Sequence, residues 1–324
     1  MTLSADIKLE LGSFRLAAKI AAPGDGITVL FGPSGGGKST LLSVLAGLRR
    51  ANGTIQLGGH RLDKRPPHLR GIGLVFQDAR LFPHLSVRQN IAYAWKRAPE
   101  HKRPGIEEVA KFFDISAQLD RPVTNLSGGE KSRVALARAV AAAPDFLLLD
   151  EPFAALDGQR RRAFIRVLAE MHCNYRLPMM VVTHNIDDAA ALATHLVALK
   201  DGQVVAEGSF VDTSRMRQFQ TLLDIADIGT AIPATSLRSS HGGRSLWLRA
   251  DQVLLAAEQP RAISARNVLE GEVRAVTPEN EGSRLVELET KAGLVLSRVT
   301  PDAADELGLE PGKRAWALVK AHAL

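Results

Sequence analysis

The sequence predicts an α/β protein, in which a mostly parallel sheet carrying an inserted helical subdomain is joined to a small C-terminal β-barrel. Three observations predict it. Short apolar runs end in polar or glycine-rich residues; helical periodicity dominates between Phe82 and Ala143; and after about Gly229 the chain changes to short alternating segments separated by turn residues.

Phe14, Leu16, Ala18 and Ile20 alternate with Arg15, Ala17 and Lys19, as in a half-exposed strand, whereas residues 27–31 are continuously apolar, as in a buried one, and run into a glycine cluster. After Lys38, the residues Leu41, Leu42, Leu45, Ala46 and Leu48 recur at helical spacing until Gly53. Residues 73–76, 146–149 and 179–183 are further buried-strand candidates, each followed by polar residues where a site can sit. The helical subdomain, about 83–143, is inserted between the Gln77 region and the strand at 146. Segments 246–249, 271–276, 285–288 and 315–320 alternate as strands of the barrel. The expected division is a first domain at 1–229, a linker with the first C-terminal strands at 230–261, and the barrel at 262–324; the Gly-, Ser- and Thr-rich stretch 229–243 marks the boundary.

At 324 residues the chain exceeds one average domain, and 45% apolar with 23% charged residues excludes disorder. The net charge of +6 suits nucleic acid, an anionic surface or a phosphate ligand equally, but Arg49-Arg50, Lys64-Arg65 and Arg160-Arg161-Arg162 are scattered and read as solvated faces. Cys173 is the only cysteine, which excludes an intramolecular disulfide and thiolate metal clusters and fits a reducing cytoplasm. The N-terminus has no basic region followed by an apolar one, so no export is expected. No 18 apolar residues run together, since the segment from Val134 to Ala143 is broken by Arg138; a membrane role would need another chain to cross.

Gly32-Pro33-Ser34-Gly35-Gly36-Gly37-Lys38-Ser39-Thr40 fits G-x-x-x-x-G-K-[ST] and lies between a predicted strand and a predicted helix, the context this motif requires. Its glycines let successive N–H groups curl around phosphate oxygens, and the helix N-terminus adds partial positive charge. Lys38 is expected at the β- and γ-phosphates of ATP, with the Ser39 hydroxyl on Mg²⁺. Asp150 and Glu151 end a buried strand, where open α/β sheets bind ligands. Asp150 is expected to hold Mg²⁺ and Glu151 to act as general base on the attacking water; adjacent carboxylates there can also simply cap a helix. Leu126-Ser127-Gly128-Gly129-Glu130 opens a helix and offers a second anion cradle. One nucleotide needs one cradle, so the second is expected to face a nucleotide held by another copy of the chain.

In this order the motifs resemble those of the ABC-type ATPases: Walker A at 32–40, signature at 126–130 and Walker B at 146–151, over roughly residues 3–229. The resemblance implies a P-loop NTPase fold, ATP and Mg²⁺ as cofactors, and a homodimer. Gln77 resembles the Q-loop glutamine, which senses metal and γ-phosphate. Ala154-Ala155-Leu156-Asp157 resembles the D-loop, whose Asp157 would contact the opposite subunit. His184, after Val181-Val182-Thr183, resembles the switch histidine that hydrogen-bonds the γ-phosphate and holds the attacking water. The family stacks adenine on an upstream aromatic side chain; the only candidate is Phe14, whose strand pattern equally suits the core.

The stretch between Lys38 and Asp150 is too short for the long coiled coil of DNA-repair relatives, and the single cassette differs from translation-factor relatives, which leaves a transporter subunit. Val75-Phe76-Gln77-Asp78-Ala79-Arg80-Leu81-Phe82-Pro83-His84 is similar to ATPase subunits of molybdate importers. Ser264-Ala265-Arg266-Asn267-Val268-Leu269 with Gly271 and Val273 resembles the start of a molybdate-binding Mop module, and Leu318-Val319-Lys320-Ala321 its end, which implies an OB-like Mop/TOBE barrel. Ser264, Arg266 and Lys320 are the candidate oxyanion site; they are expected at opposite ends of the small domain, so that packing of modules would complete it. His322 departs from the module pattern, and only one module is present; a barrel that stabilises a dimer is the alternative reading. The resemblance thus implies a homodimer, peripheral at the cytoplasmic face of the inner membrane on two membrane-spanning permease subunits, served indirectly by a periplasmic molybdate-binding protein and binding no nucleic acid. The alternatives are an importer of sulfate, tungstate or iron, and a soluble ATPase acting on nucleic acid or ribosomes.

Overall fold

A strand buried along its whole length needs cover on both faces, and in the computed structural model residues Ile27–Phe31, Phe146–Leu149 and Met179–Thr183 are all buried in this way. The structure describes residues 1–154, 156–237, 245–280 and 282–320. It divides into two compact units, one of Met1–His184 with Thr194–Glu207, the other of Asn185–Ala193 with the chain from Gly208 onward.

In the first unit, ten strands form one sheet: β1 (Leu3–Leu11), β2 (Phe14–Ala22), β3 (Ile27–Phe31), β4 (Asn52–Leu57), β5 (His60–Arg61), β6 (Ile72–Val75), β7 (Phe146–Leu149), β8 (Met179–Thr183), β9 (His195–Lys200) and β10 (Gln203–Ser209). Their order is β5, β4, β1, β2, β10, β9, β3, β8, β7, β6. The run from β9 through β3, β8 and β7 to β6 is parallel. An antiparallel wing of β1, β2, β4 and β5 extends it, so the sheet is mixed, with the expected parallel part at its core.

The first unit's helices are α1 (Lys38–Leu45), α2 (Val87–Trp95), α3 (Ile106–Phe112), α4 (Gly128–Ala141) and α5 (Gly158–Tyr175). Helices α2, α3 and α4 pack on one another between β6 and β7 in the chain. Ser86 with Gln89 and Ser127 with Glu130 form capping boxes that start α2 and α4. Helix α1 stops before Leu48 because Gly47 adopts φ 82°, the left-handed conformation that ends helices. The buried Arg70 donates through Nη1 to the carbonyls of Val44 and Leu45, 2.9 Å each, placing a cation at the C-terminus of α1.

The second unit contains α6 (Ile186–Leu192), α7 (Phe210–Ser214), α8 (Arg217–Gln220), β11 (Gly229–Pro233), β12 (Ser245–Arg249), β13 (Leu254–Ala256), β14 (Asn267–Asn280), β15 (Ser283–Thr290), β16 (Gly293–Val299), α9 (Pro301–Glu306) and β17 (Arg314–Val319). Strands β13, β17, β14, β15 and β16 form one antiparallel sheet and β11 with β12 a ribbon that packs against β16. Irregularities at Val273/Ala275 and Pro278/Asn280 interrupt the ladder of β14, as bulges that bend a strand do. Ile232 and Leu248 of the ribbon share one core with Val273, Val286, Val295 and Ala317 of the sheet. The barrel is therefore a half-barrel closed over by a ribbon. Among the described residues no helix is long and apolar enough to cross a membrane.

Candidate active site

The carboxyl ends of β3, β6, β7 and β8 carry the motif residues. From β3 the chain turns at Gly32 and curls into α1. Gly37, at φ 99°, precedes the first helical residue, a left-handed conformation that favours glycine, and a Cβ there would lie 2.6 Å from Cζ of Phe14 and displace the ring. Lys38 is buried, and its Nζ donates to the carbonyls of Gly32 and Pro33, 2.8 Å each. Burial lowers the pKa of this ammonium, while Glu151 and Asp150 oppose the shift.

Ser39 Oγ donates to Asp150 Oδ1 at 3.0 Å, which joins the start of α1 to the end of β7. Burial raises the Asp150 carboxyl above the ordinary range, Glu151 adds to the shift, and the Ser39 hydrogen bond and Lys38 oppose it. The backbone N–H of Asp150 donates to the Val75 carbonyl, holding β7 beside β6. Glu151 adopts φ 45°, a left-handed conformation that costs a non-glycine residue about 1–2 kcal/mol. Its Oε1 lies 3.5 Å from Nδ1 of His184, which follows β8. A cavity of about 260 Å³ is lined by Phe14, Ser34, Gly35, Gly37, Lys38, Ser39, Thr40 and Glu151.

Phe14 is half-buried: it packs on the core of the first unit and also lines this cavity. Phe14→Ala is expected to weaken ATP binding about tenfold, in the range of base-stacking contributions, as read by titration with a fluorescent ATP analogue. An unchanged affinity would leave the ring as core alone.

The other expected residues stand apart from the cavity. Gln77 is exposed just beyond β6. Ser127 and Gly128 are exposed at the start of α4, and a Cβ at Gly128 or Gly129 would meet nothing within 4 Å. Asp157 caps α5, its Oδ1 accepting from the Arg160 N–H at 2.9 Å, while Ala155 of the same stretch lies outside the described residues. One residue was missed from sequence. Arg138 of α4 donates through Nη1 to the Arg80 carbonyl at 2.9 Å and through Nη2 to the Ala79 carbonyl at 3.1 Å, clamping the segment after Gln77 to the helix that Ser127 begins. Its only signal was the interruption of an apolar run.

The oxyanion candidates need a correction. Ser264, Arg266 and Lys320 were expected at opposite ends of the small domain, but β14 and β17 pair antiparallel with Asn267 opposite Val319, so Arg266 and Lys320 adjoin the same end of one ladder. All three residues are exposed. His322 lies outside the described residues.

The ABC transporter family model matches residues 19–154 and the TOBE domain model residues 263–324. The chain is 36% identical to the molybdenum import ATP-binding protein ModC of Rhizobium etli over 100% of this chain and 99% of that protein. It is 35% identical to the ModC of Methylococcus capsulatus, over 99% of each. Among solved structures, cbiO1 from Clostridium perfringens, part of the ABC transporter complex cbiONQ, superposes with TM-score 0.56 at 28% identity, over 64% of this chain and 88% of that one. The ATP-binding cassette MJ0796, solved as a dimer in a post-hydrolysis state bound to ADP and Pi, gives TM-score 0.57 at 25% identity, over 64% and 98%. With the glycine loop, the paired carboxylates and the histidine gathered at one end of the parallel strands, and full-length relatives of one kind, the chain belongs to the ATP-binding proteins of ABC transporters, in the molybdenum import ATP-binding protein family.

Proposed function

We propose that the chain is the ATP-hydrolysing subunit of a molybdate importer, working as a homodimer on two membrane-spanning permease subunits at the cytoplasmic face of the inner membrane, with the oxyanion delivered by a periplasmic binding protein. One observation carries the reading. The cavity under the glycine loop holds Lys38, Ser39 and Glu151 but none of Ser127, Gly128 and Gly129, so the second anion cradle lies outside its own chain's glycine-loop cavity, as a site shared with a neighbour's nucleotide requires.

In this reading the loop amides and Lys38 bind the β- and γ-phosphates, and Phe14 flanks the adenine. The Ser39 hydroxyl beside the Asp150 carboxylate offers the hard oxygen donors that Mg²⁺ prefers, with Gln77 as a further candidate. Mg²⁺ bound there would neutralise charge on the phosphate oxygens. Glu151 takes the proton of the attacking water, His184 orients that water and hydrogen-bonds the γ-phosphate, and Ser127 with the amides of Gly128 and Gly129 of the partner closes the site. Asp157 of each chain meets the other. Arg138 carries the state of the Gln77 segment into α4.

Uptake of labelled molybdate by cells lacking the chain, with and without the gene restored, tests the substrate. Restored molybdate uptake that excess sulfate does not compete away is the expected result; restored sulfate or iron uptake alone would transfer the chain to another importer. Molybdate binding at Ser264, Arg266 and Lys320 is proposed on donor chemistry and on the placement of Arg266 and Lys320 beside one end of the β14–β17 ladder.

A further inference from the structure

His184 ends the first segment of the first unit, and the next residue opens α6, which is grouped with the second. The Asn185 side chain makes that start abrupt, its Oδ1 accepting from the N–H groups of Asp187 at 2.9 Å and Asp188 at 3.1 Å. Helix α6 buries Ile186, Ala189, Ala190 and Leu192, and it packs on β12. A short helix with this packing moves with the strand it lies on.

The strongest polar link between them is a fork. Arg249, at the end of β12, donates Nη1 to Asp187 Oδ1 at 3.1 Å and Nη2 to Asp187 Oδ2 at 2.8 Å, while its Nε donates to Asp227 Oδ1 at 3.0 Å. The guanidinium is largely withdrawn from solvent, with 22% of the Arg249 side chain exposed, which strengthens the pairing relative to a surface salt bridge. Asp227 is fixed in turn, its carbonyl accepting from Trp247 Nε1 at 2.8 Å. The bidentate geometry sets both the distance and the rotation of the first turn of α6, which a single ionic contact would not.

We propose that Arg249 is a positioning residue for ATP hydrolysis: by gripping Asp187, it fixes the start of α6 and so the backbone that leads out of His184. The inference rests on the proposed role of His184 at the γ-phosphate.

The test is steady-state hydrolysis by the full chain in five variants: His184→Ala, Arg249→Gln, Arg249→Lys, Asp187→Ala and the Arg249→Gln/Asp187→Ala double. Small displacements of catalytic groups cost up to about 100-fold in rate, so Arg249→Gln is expected to lower kcat about tenfold while moving the KM for ATP less than about twofold. Arg249→Lys, which keeps the charge and loses the fork, should fall similarly, with each melting transition within about 3 °C of wild type for so large a chain. The double variant should be no slower than the worse single, because both remove one link. Unchanged kcat in Arg249→Gln, additive losses in the double, or losses of kcat that follow a fallen melting temperature would each overturn the proposal. His184→Ala separates the two levels: if it hydrolyses normally, the reading of His184 fails first; if it is slow and the Arg249 variants are not, only the coupling fails.

Discussion

Glu151→Gln is expected to bind ATP as the wild type does and to hydrolyse it about 1,000-fold more slowly, within the 10²–10⁴ range that a positioned general base supplies. The amide has the shape of the carboxylate and can keep the contact that now spans 3.5 Å to His184, but it cannot take a proton from water. Removing a negative charge beside Asp150 and Lys38 also relieves repulsion on the phosphates, so affinity should not fall. A nucleotide-bound dimer should therefore accumulate, visible as a shift in gel filtration only when ATP is present. Near-normal phosphate release would remove Glu151 from the base role.

Ser127→Arg should be nearly as severe, with hydrolysis down about 100-fold or more, as when an anion-stabilising donor is lost, although each chain still binds ATP. The Ser127 hydroxyl and N–H both engage Glu130, so loss of this cap costs α4 about 1 kcal/mol, too little to unfold the subdomain. The new side chain would instead fill the exposed cradle of Ser127 and Gly128. A mixture with Lys38→Ala chains makes the prediction sharper. Each variant alone should be inert, whereas a hybrid dimer joins an intact glycine loop to an intact Ser-Gly-Gly turn and regains turnover. Unimpaired hydrolysis by Ser127→Arg alone would refute a site shared between copies.

The parallel core of the sheet was legible because its strands are apolar on both faces; Ile27–Phe31 and Met179–Thr183 need no partner information to be recognised. The antiparallel wing was only partly legible. In β4, Asn52 and Gly53 carry no strand signal, and the segment is held by its register with β1. At the site, the glycine loop and the two carboxylates are short motifs whose spacing is their geometry, so they could be read directly. Arg138 could not, since its partners are the backbone carbonyls of Ala79 and Arg80, which no residue identity announces. Arg266 and Lys320 were misjudged for a related reason: separation along the chain says nothing about an antiparallel ladder that folds its two ends together.

Lys38 shows what a pre-shaped phosphate loop entails. Its ammonium spans the Gly32 and Pro33 carbonyls, so the residue braces the curl of the loop as well as charging it. A neutral replacement at this position would thus remove the strut as well as the charge, and lost affinity in such a variant measures both.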